Sequence, residues 1–89
     1  MKVELFYTDG CASCTSFKGA LEAAVLSAIP DVVWREVDPL KEMDYAVELG
    51  VASLPSVAID GKVVFTTLPT AEQLRKAVLA RRAEASNGR

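Results

Sequence analysis

The chain contains two cysteines, Cys11 and Cys14, separated by Ala12 and Ser13. A thiolate attacks a disulfide sulfur, and a second thiol nearby then displaces the captured group, so this spacing suits thiol–disulfide exchange. A bridge that closes so short a loop would stabilise the fold by only ~2 kcal/mol in the loop-entropy model. Exchange chemistry is therefore a stronger interpretation of the pair than stabilisation.

The pair is predicted to lie where a strand ends and a helix begins. Val3–Tyr7 is an apolar run that ends at Thr8-Asp9-Gly10, and helical spacing follows. Unsatisfied N–H groups and roughly half a positive charge at a helix N-terminus favour a thiolate. We expect Cys11 to have a lowered pKa and to attack the substrate, and Cys14, one turn later, to resolve the mixed disulfide.

The charged residues near the pair act in opposite directions. Asp9 disfavours a thiolate, whereas Lys18 favours one only if its amine reaches back toward the sulfurs. Ala12 and Ser13 add no positive charge, although the Ser13 hydroxyl can donate to sulfur. The expected decrease in the pKa of Cys11 is therefore moderate.

Metal binding is an open alternative for the pair. A closed zinc site takes four Cys or His ligands, and the chain has two Cys and no His, so one chain cannot complete such a site. Two chains of a dimer can share a Cys₄ zinc or iron–sulfur site. The lack of His also argues against a Cys-His hydrolase. We expect neither a metal nor an organic cofactor.

Composition indicates an ordinary globular domain. The chain has 89 residues, 51% of them hydrophobic and 25% charged, with a formal net charge of −2. No basic stripe favours nucleic acid, and no apolar run is long enough to span a bilayer or to serve as a signal peptide. We expect a cytoplasmic monomer that binds neither nucleic acid nor membrane, unless a leader has been removed.

Apolar spacing predicts the first helix and a second strand and helix. The helix that ends before Pro30 has an apolar face made of Phe17, Leu21, Ala24, Val25 and Ala28. The strand Val32–Val37 is followed by a short helix with Asp38 as its N-cap, Pro39 in its first position and Gly50 just beyond its end. The apolar face of this second helix is predicted to consist of Leu40, Met43, Ala46 and Val47.

The rest of the chain predicts a hairpin and a final helix. Asp60-Gly61 joins two β-rich runs, Ser56–Ile59 and Lys62–Thr66, and Thr70 with Gln73 forms a capping box. Strands joined through a helix are parallel, and hairpin strands are antiparallel. The predicted fold is α/β, with a mixed four-stranded sheet, helices on both faces and the order β-α-β-α-β-β-α. The domain is predicted to span residues 1–84, with a disordered tail at 85–89.

Three segments resemble the thioredoxin superfamily, most closely its small, glutaredoxin-sized members. They are Glu4-Leu5-Phe6-Tyr7 ahead of Cys11-Ala12-Ser13-Cys14, "GVASLPSV" at 50–57, and "IDGKVV" at 59–64 ahead of a final helix. The resemblance covers Lys2 to about Glu84. It implies a thioredoxin-like fold and a thiol–disulfide oxidoreductase that acts on protein or small-molecule disulfides and is recycled by a reductase or a thiol donor.

The resemblance also implies substrate-binding positions at Ser53, Leu54 and Pro55. In that family the matching proline is cis and lies beside the CxxC, and the residue before it offers its backbone to an extended substrate. Without the resemblance, a trans proline that opens an edge strand is the commoner case. A non-enzymatic module that senses redox state or delivers a metal is the alternative function.

The chain departs from the family in several places. Gly10 replaces the tryptophan that precedes the cysteines, no proline lies within the motif, and Leu5 stands where the family buries an acid in its first strand. The segment 66–70 replaces the Gly-Gly and acidic segment of glutathione-using glutaredoxins, which argues against glutathione use. Trp34 is interpreted as a core or partly exposed strand residue.

Overall fold

The computed structural model describes residues 1–87. Its elements in chain order are β1 (Lys2–Phe6), α1 (Ala12–Ala28), β2 (Val33–Val37), α2 (Met43–Leu49), β3 (Ser56–Ile59), β4 (Lys62–Phe65) and α3 (Ala71–Asn87). The strands form one four-stranded sheet in the order β2-β1-β3-β4. β1 is parallel to β2 and antiparallel to β3, and β3 is antiparallel to β4. The predicted fold class and element order are confirmed.

Helices cover both faces of the sheet because the strand residues alternate between two cores. The larger core, on the side of α1 and α3, consists of Val3, Leu5, Leu21, Val25, Ile29, Val32, Val57, Ile59, Leu74 and Val78. The smaller core, on the side of α2, consists of Phe6, Val37, Ala46 and Ala58. Alternation along β1 therefore directs Leu5 toward α1 and Phe6 toward α2.

The hairpin and the last helix begin where the sequence predicts. Asp60 and Gly61 have φ values of 52° and 81°, the left-handed conformation that a tight turn between two strands requires. The Thr70 amide donates to the Gln73 side chain at 2.9 Å, and the Gln73 amide donates to the Thr70 hydroxyl at 3.1 Å, which completes the capping box. α3 continues to Asn87, past the boundary predicted at Glu84. Positions 88–89 of the predicted tail lie outside the described residues.

The start of α2 was predicted wrongly. The Asp38 carboxylate accepts a hydrogen bond from the Leu40 amide at 2.9 Å and so forms a separate turn, and α2 begins only at Met43. The end was predicted correctly, since Gly50 closes the helix in the left-handed conformation with a φ of 83°.

The predicted apolar face of α2 is also wrong except at Ala46. The side chains of Leu40, Met43 and Val47 are exposed to 70%, 56% and 71%. Tyr45 and Leu49 pack against the smaller core instead. The Tyr45 side chain faces the sheet, where its hydroxyl donates to a buried carboxylate of β1. The predicted apolar face of α2 is therefore directed toward solvent.

No helix within residues 1–87 combines the length and apolar character needed to cross a bilayer.

Candidate active site

Cys11 and Cys14 lie at the start of α1, as predicted. Cys11 is the N-cap residue, and its Sγ accepts a hydrogen bond from the Cys14 amide at 3.1 Å. A turn closed by the Cys11 amide on the Thr8 carbonyl, at 3.0 Å, connects β1 to this position. The two sulfurs form a disulfide, with 5.3 Å between the Cα atoms. The same helix amide that contacts Cys11 Sγ here favours a thiolate on that atom once the bridge is reduced.

The two cysteines differ in their exposure. Cys14 is completely buried under the first turn of α1, whereas Cys11 is partly exposed at the helix end. Of the two cysteines, only Cys11 is therefore accessible from solvent, and Cys14 is bonded to it from the protein interior.

The segment 53–55 lies at the same end of the sheet. Ser56, which begins β3, pairs with Phe6 at the end of β1, and the turn that leads to Cys11 follows Phe6. The Leu54–Pro55 peptide bond is cis, as the resemblance implied. Leu54 is 45% exposed beside it.

Ser53 is engaged within the protein. Its hydroxyl donates to the Thr66 carbonyl at 3.1 Å, and its carbonyl accepts from the Ser56 hydroxyl. The first bond ties the segment 53–55 to the loop that follows β4. Ser53 thus helps to position the segment 53–55 against the loop after β4.

The Lys18 amine is bound to Tyr7 and Glu36 and does not reach back toward the sulfurs. Its amine donates to the Tyr7 hydroxyl at 3.2 Å and to Glu36 Oε1 at 3.1 Å, on the side of β2. The hydrogen bond to Tyr7, followed by that to Glu36, raises the pKa of Lys18. The group that would favour a thiolate at Cys11 is therefore the N-terminus of α1 and not the Lys18 amine.

Glu36 is the centre of a hydrogen-bonded cluster that also contains Tyr7, Lys18 and Trp34. The Tyr7 hydroxyl donates to Glu36 Oε1 at 3.1 Å, and the half-buried Trp34 donates to Oε2 at 3.2 Å. Burial opposes the charged form, but the hydrogen bonds from Lys18, Trp34 and Tyr7 outweigh it and lower the pKa of Glu36. The cluster joins the end of β1, the second turn of α1 and the edge strand β2.

The Glu36 cluster predicts a specific dependence of stability on pH. Because the pKa of Glu36 is lower in the folded state than in the unfolded chain, its stabilising contribution is complete above the unfolded value and disappears as pH falls through the folded one. The difference in melting temperature between the wild type and Glu36→Gln should therefore be largest near pH 7 and shrink below the ordinary carboxyl range. Glu48→Gln, exposed on α2, is the matched control. A difference for Glu36→Gln that stays constant down to pH 2 would contradict the assignment.

Glu4 is a buried acid that was not predicted from the sequence. It has no solvent exposure; its Oε2 accepts from Arg35 at 2.9 Å, and its Oε1 accepts from the Tyr45 hydroxyl. Arg35 also binds Glu42, at 2.8 Å. Burial raises the pKa of Tyr45, and the hydrogen bond to Glu4 raises it further. Strand alternation in β1 could have predicted the burial of Glu4. It places Leu5 on the side of α1, so that Glu4, one residue earlier, lies with Phe6 on the buried side that faces α2.

The chain is a small α/β protein that combines a mixed sheet of this order with a Cys-X-X-Cys pair at the start of the first helix, and such a pair is suited to thiol–disulfide exchange. A model of the thioredoxin domain family matches residues 1–79. The chain belongs to the thioredoxin family. Together with the Cys11–Cys14 pair, this supports thiol–disulfide oxidoreductase activity at a general level.

Relatives and solved structures agree with this assignment. The chain is 33% identical over 82 residues to a thioredoxin of Methanocaldococcus jannaschii, and the aligned region covers 91% of this chain and 95% of the relative. It is 31% identical over 77 residues to a thioredoxin of Methanothermobacter thermautotrophicus, covering 85% and 95%. The structure of thioredoxin 1 from Thermosipho africanus superposes with a TM-score of 0.75 at 21% identity, covering 98% and 99%. That last similarity supports the fold alone.

Proposed function

We propose that the protein reduces or exchanges disulfides through a two-step cycle at Cys11 and Cys14. The Cys11 thiolate attacks one sulfur of a substrate disulfide, and the other substrate sulfur leaves as a thiolate that takes up a proton. The Cys14 thiolate then attacks Cys11 Sγ and expels the second substrate thiol. Two electrons pass to the substrate and the Cys11–Cys14 disulfide remains. The observation that carries this assignment is the difference in exposure between Cys11 and Cys14.

A reductant must restore the dithiol after each turnover. Two electrons and two protons return the disulfide to two thiols, and either a reductase or a small thiol can supply them. We expect the cycle to operate in a monomer in the cytoplasm, which stays a prediction from composition.

The substrate is proposed to bind as an extended chain across the segment 53–55. Leu54 is exposed beside the cis peptide bond, two residues before β3 begins, and its backbone in this segment outside the paired strands is proposed to form main-chain hydrogen bonds with the substrate. Pro55 shapes the floor of this position. Because main-chain pairing is independent of side chains, the arrangement favours polypeptide disulfides while leaving small disulfides accessible at Cys11.

The proposed roles predict unequal reactivity of the two thiols. In the reduced protein, Cys11 should be alkylated by iodoacetamide much faster than Cys14, and the pH midpoint for Cys11 should lie below the ~8.5 of a free cysteine. Peptide mapping after timed alkylation measures both rates. Equal rates, or a Cys11 midpoint at the free value, would contradict the proposal.

Metal analysis of the reduced protein provides a second test. Within residues 1–87 no group of three or more His, Cys, Asp or Glu side chains is arranged to hold a metal ion. The redox cycle predicts a metal-free monomer after reduction. A stoichiometric metal in a dimer would instead support the metal-delivery function.

A further inference from the structure

Phe17 is the residue of α1 whose environment differs most from its prediction. Its spacing places it on the apolar face of α1, yet 56% of the side chain is exposed. It follows Cys14 by three residues, so the two lie on neighbouring positions of one helix side. Side chains on a helix lean toward its N-terminus, which directs the Phe17 ring toward the end that carries the cysteines.

The exposed side of Phe17 lines a groove of about 380 Å³ between α1 and the loop that leads into α3. Its walls are Phe17, Ala20, Leu21, Leu68, Pro69, Thr70 and Ala71. The amide and hydroxyl of Thr70 are already paired with Gln73 in the capping box. The groove therefore presents hydrocarbon surface and few free polar groups, so a complementary occupant must be apolar.

The groove shares two structural elements with the reactive end of the molecule. One wall belongs to the helix that begins at Cys11, and the other belongs to the loop after β4. This loop is tied by the Thr66 carbonyl to Ser53, in the segment proposed to bind substrate backbone. Phe17 follows Cys11 by six positions, which is about 9 Å along the axis of α1, a distance that about three residues of an extended polypeptide bonded to Cys11 can span.

We propose that the groove is a specificity subsite that takes one large apolar side chain, such as Leu or Phe, located within a few residues of the reactive cysteine of a polypeptide substrate. The subsite rests on the proposed oxidoreductase function. Its volume is at the lower end of ligand pockets, which span roughly 300–1,000 Å³, and therefore suits one side chain better than a cofactor. Partial burial of such a side chain should change kcat/KM about tenfold, equivalent to about 1.4 kcal/mol.

The test uses short peptides that contain one internal disulfide and otherwise only Gly, Ser and Lys. Leu is placed in turn at each of the two positions before and after the first cysteine, and a peptide with Ser at all four is the reference. Dithiothreitol recycles the protein, and kcat/KM is measured for each peptide. We expect at least one Leu position to be preferred about tenfold over the reference by the wild type.

Substitutions then locate the preference. Phe17→Ser should bring the ratio of Leu to reference peptide close to one, whereas Leu79→Ser, which removes an exposed apolar side chain from α3, should leave it unchanged. A wild type without preference at any position, or a preference that survives in Phe17→Ser, would overturn the subsite. A concentration-dependent dimer that Phe17→Ser abolishes would also overturn it, because a second copy would then fill the groove.

Failure of the subsite and failure of the oxidoreductase function would give different results. Reduction of hydroxyethyl disulfide by the wild type does not involve an apolar side chain and tests only the oxidoreductase function. If this reaction proceeds and the peptide preference is absent, the subsite is wrong and the function stands. If neither hydroxyethyl disulfide nor any peptide is reduced, the proposed function is wrong and the subsite with it.

Discussion

Replacing Cys11 with serine will lower the rate of insulin disulfide reduction to that of dithiothreitol alone. The serine hydroxyl does not ionise near neutral pH, so no nucleophile remains at the exposed end of α1. The remaining thiol, Cys14, is completely buried and cannot be reached by a protein disulfide. Removing one sulfur atom therefore removes the entire activity, although the fold retains every other contact.

A matched control separates the loss of the thiol from a disturbance of the helix start. Ala12→Ser introduces the same side chain at the neighbouring position, which is exposed in the first turn of α1. This variant should keep most of the wild-type rate. A Cys11→Ser protein that reduces insulin as fast as Ala12→Ser would show that the chemistry occurs elsewhere.

Replacing Arg35 with methionine should lower the free energy of unfolding by about 2–3 kcal/mol. Glu4 has no solvent exposure and would lose its nearer cation, at 2.9 Å, while the Lys2 amine remains at 3.9 Å from its other oxygen. Breaking a fully buried pair in this way costs about 3–5 kcal/mol. The smaller figure reflects the 40% exposure of the Arg35 side chain, together with Tyr45, which remains bonded to Glu4.

The expected change is large for a small domain. At roughly 4–8 °C per kcal/mol, it corresponds to a decrease of about 10–20 °C in the melting temperature, which calorimetry or circular dichroism measures directly. In the double variant Glu4→Gln with Arg35→Met, the buried charge is removed as well, so most of the loss should be recovered.

The control for Arg35 is another arginine that forms an ion pair. Arg75 binds Glu72 at 2.6 Å on the exposed surface of α3, and neither side chain is buried. Surface pairs of this kind contribute little, so Arg75→Met should leave the melting temperature almost unchanged. Equal melting temperatures for Arg35→Met and Arg75→Met would show that Arg35 does not stabilise the buried Glu4 carboxylate.

The features that the sequence predicted well are those determined by a few neighbouring residues. The Asp60-Gly61 turn, the Thr70 capping box and the start of α1 at Cys11 each depend on contacts within about one helical turn or one hairpin. Apolar spacing supplied the element order for the same reason. The position of the two cysteines followed directly.

The features that the sequence missed depend on residues far apart in the chain. The hydrogen bond between Glu4 and Tyr45 joins positions separated by 41 residues, and it links the buried carboxylate of β1 to the side of α2 that faces the sheet. Phe17 has apolar spacing, but whether it is covered depends on the loop before α3. Helix periodicity gives a face and does not show how much of that face another element covers.

The most direct test of the two-cysteine cycle is the product that the Cys14→Ser variant forms with a disulfide peptide. Without the second thiol, Cys11 should still attack, and the mixed disulfide should accumulate because nothing in the protein displaces the captured peptide. Intact-mass spectrometry should then show one added peptide half per chain, located on Cys11 and removed by dithiothreitol. A Cys14→Ser protein that stays unmodified after reduction and exposure to the peptide would contradict the account.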